Sequence, residues 1–349
     1  MRECPVITVA IPTLGRPLSA IRAVDSIADQ RCREPFEILV LDNGCDRDLA
    51  EAVRRVEARA SVPVEYVPVP AVGLHNARHE AARRGRGEIL AYVDDDVVAE
   101  PGWLGAISDC FLDAGVHMVG GRCLPVYAAE PPPWLDAFAT RNEDGTWWCG
   151  PLTLIDLGPV KRDVDPLLVW GANFAIRKDA LVRVGGFHPD GVPWTLRRFR
   201  GDGETAVSLA VKALGLRAAY SPQATIHHYV SRERLTEEYF ERRAHLQGIS
   251  DSFAACRLPR KSSSVEARKS ALAGILRRLR SAVARGRRRG GMPGDWLERR
   301  QRAVEAHDAG YAYHQHQMVI DPAVQRWVDR TDYWAATIPA MGAAVASEG

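Results

Sequence analysis

The chain has 349 residues, 46% hydrophobic and 26% charged, with 46 Lys+Arg against 44 Asp+Glu for a formal net charge of +2. This length and apolar content suit one large globular domain or two ordinary ones and exclude a disordered chain. No apolar run approaches the roughly 20 residues needed to cross a bilayer, and residues 1–17, MRECPVITVAIPTLGRP, show no export-signal pattern.

The seven cysteines, at 4, 32, 45, 110, 123, 149 and 256, are odd in number and form no CxxC pair. Reduced thiols in a cytoplasmic protein are therefore expected, rather than disulfides or a zinc site. The small net charge conceals a split: residues 257–302 carry +12, residues 303–349 carry −4 and residues 1–256 carry −6.

In chain order, residues 6–13, 36–41, 64–69 and 89–93 are short apolar runs with strand character, separated by helical spacing at 19–30, 49–58 and 76–84. Such alternation predicts a parallel sheet covered by helices on both faces. Ligands of such sheets lie beyond the carboxyl ends of the strands. There stand Pro12-Thr13, Asp42-Asn43-Gly44 and Asp94-Asp95-Asp96. Residues 118–200 are less regular, with PPPW at 131–134 and Trp147-Trp148, and predict long loops around short strands. A strand at 170–177 leads into a helix that Asp179 could cap, ending at Gly185-Gly186. A helix at 203–214, strands at 218–220 and 224–230, and a charged helix at 234–248 follow. Leu272, Ile275, Leu276, Leu279 and Val283 recur at helical spacing within the basic segment, and the tail is rich in Tyr and Trp.

Three adjacent carboxylates at a strand end repel one another, and a divalent cation relieves that repulsion. Magnesium or manganese binds through one or two carboxylates plus substrate phosphate oxygens. On extended backbone Asp94 and Asp96 share a face while Asp95 points away; a solvated acidic turn is the alternative. His227-His228 could complete a metal site or be an ordinary surface pair. Asp202 suits a helix N-cap and Glu204 a first-turn anion. Either could instead be a general base that takes the proton of an attacking hydroxyl. Asp42, Asn43 and Gly44 could simply form a turn, and Arg78 could be a helix-surface charge.

VAIPTLGRP, VLDNGCD, GLHNARHEAARRGRGEILAYVDDDV, WGANFAIRKDALVRVGGF, RGDGETAVSLAVKALG and ATIHHYVSRERLTEEYF occur in that order over about residues 5–250. Together they resemble an inverting family 2 glycosyltransferase of bacterial type. The resemblance implies an α/β fold: a GT-A-like, Rossmann-type, mostly parallel sheet flanked by helices, with a helical C-terminal extension. The glycosyltransferase domain would span 1–250, with a nucleotide-sugar half to about 125 and an acceptor half over 126–250. The extension would span 251–349. By the same resemblance Pro12, Thr13, Asp42, Asn43, Arg78, Asp94 and Asp95 would bind the nucleotide sugar. Asp96, Asp94 and His228 would hold Mn2+ or Mg2+. Asp202 would stand in the second position of the family's Glu-Asp pair as general base, with Gly201 in place of the usual Glu and Glu204 as second candidate. His79 replaces the usual Asn after Arg78, and Ser231 a usual Pro.

The implied reaction moves a sugar from a nucleoside diphosphate donor, a UDP-sugar in the first instance, to a nucleophile of an unidentified acceptor. Trp147, Trp148 and Trp170 could stack on the acceptor. A nucleotide-sugar binding protein without catalysis and a nucleotidyltransferase are the competing readings. The basic segment has three: a solvated or homo-oligomer face, peripheral contact with anionic membrane, or nucleic-acid binding. No nucleic-acid motif accompanies the charge, so a nucleic-acid partner is not expected.

Overall fold

The computed structural model describes residues 6–257 and 293–339. The first half alternates as expected: β1 (Ile7–Thr13), α1 (Pro17–Ala28), β2 (Phe36–Asp42), α2 (Arg47–Glu57), β3 (Val64–Pro68), α3 (Leu74–Arg84), β4 (Ile89–Val93), β5 (Val97–Ala99) and α4 (Trp103–Phe111). The order β3-β2-β1-β4 is parallel throughout. β1, β2 and β4 are buried along their whole length, which is why their sequences are nearly continuous apolar runs rather than alternating ones.

The middle holds β6 (Val116–Tyr127), then the short β7 (Thr140–Arg141), β8 (Trp147–Cys149), β9 (Leu154–Asp156) and β10 (Arg162–Val164). β11 (Asn173–Arg177), α5 (Lys178–Arg183), α6 (Glu204–Ala213) and β12 (Arg217–Val230) follow. The twelve-residue β6 is the main departure from the expected loops. Its Gly120-Gly121 reads as a turn in sequence, but a Cβ on Gly121 would stand 1.8 Å from Ala224 O, so glycine lets β12 come close. β11 inserts antiparallel between β4 and β6, and β12 runs parallel to β6 along one continuous strand with an irregularity between Ser221 and Ile226. One face of the sheet packs on α1, α2 and α4, the other on α3, α5 and α6.

The C-terminal part is helical, as expected: α7 (Glu237–Arg257), α8 (Gly294–Ile320) and α9 (Pro322–Val328). α7 runs past residue 250 without a break. α8 lies along it in the same direction, joined by Arg299 to Glu237 at 2.7 Å, Arg302 to Glu241 at 3.0 Å and Ser252 to His314 at 2.8 Å. Trp327 and Tyr333 enter one core with Phe199 and Phe253, and Trp334 stacks on His79 with centroids 4.3 Å apart. The extension is therefore packed onto the sheet domain. Residues 258–292, which carry most of the basic segment and its helical repeat, lie outside the described residues. Among the described residues no helix is long and apolar enough to cross a membrane, and all six cysteines are free.

Two glycines set the spacing of α7 and α8. A Cβ on Gly248 would fall 2.0 Å from His307 O, and one on Gly310 would fall 2.0 Å from His245 O. Gly248→Ala or Gly310→Ala should destabilise the protein by about 1–3 kcal/mol, the usual cost of overpacking. Thermal denaturation tests this against Gly294→Ala, where a Cβ meets nothing within 4 Å and no loss is expected.

Candidate active site

The carboxyl ends of β1, β2 and β4 open onto one edge, and each delivers a polar residue there. Thr13 Oγ1 donates to Asp95 Oδ2 at 2.6 Å, with buried Pro12 just before it in β1. At the end of β2, the fully buried Asp42 carboxylate accepts from Gly44 N and Asp46 N, each at 2.7 Å, and from the Tyr66 hydroxyl at 2.9 Å. Asn43 donates to Val69 O and Ala71 O. Asp42 and Asn43 thus shape the turn that lines this edge, in keeping with the turn-forming reading.

The three aspartates follow the end of β4 in a turn rather than on extended backbone, so Asp95 and Asp96 both reach Arg16 instead of pointing to opposite faces. Asp95 turns to Thr13 and to Arg16, whose Nη2 lies 2.7 Å from Asp95 Oδ1. Burial pushes the Asp95 carboxyl up to about 7, against the opposing pull of Arg16 and Thr13. Burial and then neighbouring Asp96 raise the Asp94 carboxyl as well. Asp96 Oδ2 accepts from Arg16 Nη1 and Arg234 Nη2, each at 2.7 Å. β5 pairs with β12 so that Val97 opposes His228, which brings the buried His228 beside Asp96. Its neighbour His227 points outward to Glu100 at 3.0 Å. His228 is thus the histidine at the site.

The hydrogen bonding of His228 fixes its chemistry. Arg234 Nη1 lies 2.8 Å from His228 Nε2. A guanidinium has no acceptor, so this contact suits the ring tautomer that turns the Nε2 lone pair to Arg234, while Nδ1 is buried without a hydrogen-bond partner. Asp96 Oδ1 stands 3.2 Å from that same Nε2 and has no hydrogen bond despite its burial. Asp96 Oδ1 and His228 Nε2 thus stand close enough together to share a cation. Among the described residues no three His, Cys, Asp or Glu side chains cluster as a complete metal cage. Asp96 and His228 with phosphate oxygens is nevertheless a donor set that magnesium or manganese accepts. The residues therefore fit the expected cation.

A second buried ionic pair lies across the edge. Arg78, on α3, donates from Nη1 to Glu204 Oε2 at 3.2 Å and lies over the Phe187 ring at 5.0 Å. Gly171 makes room for it: a Cβ there would stand 2.5 Å from Arg78 Nη2 and 3.0 Å from Glu204 Oε1. Glu204 opens α6, and its carboxylate lies near enough to Asp94 to disfavour ionisation there. It also lines a cavity of about 430 Å³ with Trp170, Phe138, Phe240, Arg243 and His307.

Asp202 faces elsewhere. Its Oδ1 is 2.6 Å from His188 Nδ1, and that ring packs against Phe253 and Tyr333, away from the residues lining the cavity. It does not cap α6 either; Gly203, at φ +55°, holds the N-cap position without a side-chain bond. Gly201 sits where a Cβ would press on the Phe253 ring at 3.0 Å. The partly buried Trp147, Trp148 and Trp170 all pack against the sheet core, and of the three Trp170 lines the cavity.

A model of the family described as Glycosyl transferase family 2 matches residues 8–185, just over half of the chain. The chain belongs to glycosyl transferase family 2. Validoxylamine A glucosyltransferase of Streptomyces hygroscopicus subsp. jinggangensis is 25% identical over 205 residues, covering 54% of this chain and 49% of that protein. The chain thus spans about half the length of that relative. Glucosyl-dolichyl phosphate glucuronosyltransferase of Haloferax volcanii is 23% identical over 251 residues, covering 70% of this chain and 75% of that one. A solved mannosyltransferase from Pyrobaculum calidifontis, in complex with GDP-Man and Mn2+, aligns with 99% of this chain and 81% of its own at 18% identity and a TM-score of 0.49. Membership of glycosyl transferase family 2 leaves the nucleotidyltransferase alternative without a supporting observation.

Two arginines at the aspartates were not singled out from sequence. Arg16 lies inside VAIPTLGRP and Arg234 six residues after His228; a basic residue just beyond each strand end was the available signal. Buried histidines brace the same edge. His75 Nδ1 accepts from Asp190 N at 3.4 Å and His79 Nε2 from Phe187 N at 2.8 Å. Burial holds His75 down at about 4 and His79 at about 3. Both stay neutral in the fold while the unfolded chain takes up their protons below about 6.5, so they cost stability as pH falls from about 6.5 towards 4. Asp95 acts in the opposite sense, so the effect is read by difference. His79→Gln should flatten the pH dependence of unfolding free energy by up to about 1.4 kcal/mol per pH unit in that window. Urea denaturation at several pH values measures it, and equal slopes in both proteins would remove the histidine.

Proposed function

We propose that this protein is a divalent-cation-dependent, inverting glycosyltransferase that moves a sugar from a nucleoside diphosphate sugar to an acceptor hydroxyl. The observation that carries this reading is the position of Glu204, one carboxylate between the Asp94–Asp96 edge and the 430 Å³ cavity. Family membership supplies the reaction class; the geometry supports the roles.

The donor would lie along the edge formed by Thr13, Asp42, Asn43, Arg78 and Asp94–Asp95, and Asp96 with His228 would hold Mn2+ or Mg2+. When bound, the cation neutralises charge on the departing diphosphate. The acceptor would enter the cavity, whose walls are mostly apolar or aromatic, with Trp170 offering a face to a ring. Glu204 is the better base. Its carboxylate reaches the cavity, whereas Asp202 is engaged with His188 beyond it. Arg78 holds Glu204 in place, and the acceptor hydroxyl passes its proton to that carboxylate as its oxygen attacks the anomeric carbon opposite the leaving diphosphate. A single displacement inverts configuration. With Glu204 in that role, Gly201 reflects packing against Phe253, and the reading of a binding protein without catalysis loses the feature that motivated it.

Glu204→Gln should lower transfer at least a hundredfold while nucleoside diphosphate binding survives, and Asp202→Asn should lower it less than tenfold. Initial rates with donor and a panel of hydroxyl acceptors rank the two variants; the reverse order returns the base to Asp202. The base of the nucleotide is found by thermal shift with UDP, GDP and dTDP in Mn2+ or Mg2+, since the bound nucleotide stabilises by mass action. We expect one of them, UDP in the first instance, to raise Tm by several degrees; no shift with any would dismiss the donor site.

A further inference from the structure

The cluster around Asp96, with Asp94 beside it, already holds cationic groups of its own. Two carboxylates, Asp95 and Asp96, face two guanidiniums. Arg16 reaches both, at 2.7 Å each, and Arg234 spans Asp96 Oδ2 at 2.7 Å and His228 Nε2 at 2.8 Å. Asp96 Oδ2 and His228 Nε2 are thus already engaged by arginine, and Asp96 Oδ1 is left without a hydrogen bond. A divalent ion added alone would leave uncompensated positive charge among side chains that are 1%, 5% and 3% exposed at Asp95, Asp96 and His228, where charge is costly.

A diphosphate changes that balance. It brings negative charge, and its oxygens suit the forked donors of arginine as well as a carboxylate does. Both arginines are also the exposed members of their pairs, Arg16 at 47% and Arg234 at 23%. Arg16 follows Gly15, at φ +68°, in the short loop between β1 and α1, and Arg234 lies in a single 3₁₀ turn after β12. Neither is anchored within a long element.

We propose that Arg16 and Arg234 are exchange partners. They hold Asp95, Asp96 and His228 while the donor site is free of diphosphate, and pass to the phosphate oxygens when the nucleotide arrives, which releases Asp96 Oδ2 and the His228 Nε2 lone pair to the cation. Cation and diphosphate then bind as one neutralised unit, and each is weak without the other. This rests on the cation-dependent donor site proposed above.

The test is Mn2+ binding to the full chain, followed by the electron paramagnetic resonance signal of free Mn2+, with and without the nucleoside diphosphate that gives the largest thermal shift. In the unsubstituted protein the diphosphate should tighten Mn2+ binding at least tenfold. Arg234→Gln should bind Mn2+ alone at least tenfold more tightly than the unsubstituted protein, yet bind the diphosphate in Mn2+ at least tenfold more weakly. Arg16→Gln should shift both in the same directions. Arg234→Lys, which keeps the charge and loses the fork, should fall between and guards against a misfolded glutamine variant. Unchanged or weaker binding of Mn2+ alone in both glutamine variants overturns the exchange, as does Mn2+ binding indifferent to the diphosphate. If the protein takes up no Mn2+ even with diphosphate, the cation-dependent donor site itself fails. If diphosphate binds without Mn2+ and both glutamine variants lose it, the arginines serve the diphosphate alone: the exchange is overturned and the donor site stands.

Discussion

Arg78 carries a positive charge into the interior at 3% exposure, and much of the surrounding structure answers that demand. An unpaired charge at such a position would cost several kcal/mol. Glu204 supplies the counter-charge, Gly171 O lies 3.4 Å from Nη2, and the Phe187 ring offers its face. The Tyr92 hydroxyl donates to the Arg78 carbonyl at 3.0 Å and ties α3 to β4. Glu204 can stand where it does because Gly171 has no side chain and because Gly203 turns the chain sharply before α6. The pair therefore fixes α3, α6 and the end of β4 relative to one another.

The fold was largely legible, because buried parallel strands write themselves as apolar runs and the helices between them carry clear periodicity. β4 begins and ends at the residues expected, and β1, β2 and β3 are within a residue of expectation. β6 was not legible: glycines and a proline usually mark turns, and only tertiary contact with β12 explains Gly121. The single strand β12 was likewise divided in two, at the irregularity around 222–225.

At the site, the aspartates could be found because three carboxylates crowd the end of one strand, and His228 because its place two residues before Val230 matches the family pattern that the sequence resembles. The roles of Asp202 and Glu204 could not be separated that way. They are two residues apart at a helix start, and the direction each takes depends on Gly203 and on a C-terminal segment more than a hundred residues away, which supplies Tyr333 beside His188. Trp147 and Trp148 illustrate the same limit. A tryptophan pair suits either a core or a sugar platform, and β8 places both against the core.

The glycine contact between α7 and α8 has a consequence for how such a protein can diversify. The edge with the aspartates is built from residues before 100 and from β12, whereas one wall of the cavity, including Val304 and His307, belongs to α8. The two helices meet backbone to backbone at Gly248 and Gly310, and side-chain pairs such as Arg299–Glu237, Arg302–Glu241 and His307–Asp251 hold them on either side. A change at Val304 therefore alters the cavity wall without touching those pairs, whereas one at His307 disturbs both. The shape of the cavity can thus vary through a helix that supplies none of the residues at the aspartate edge.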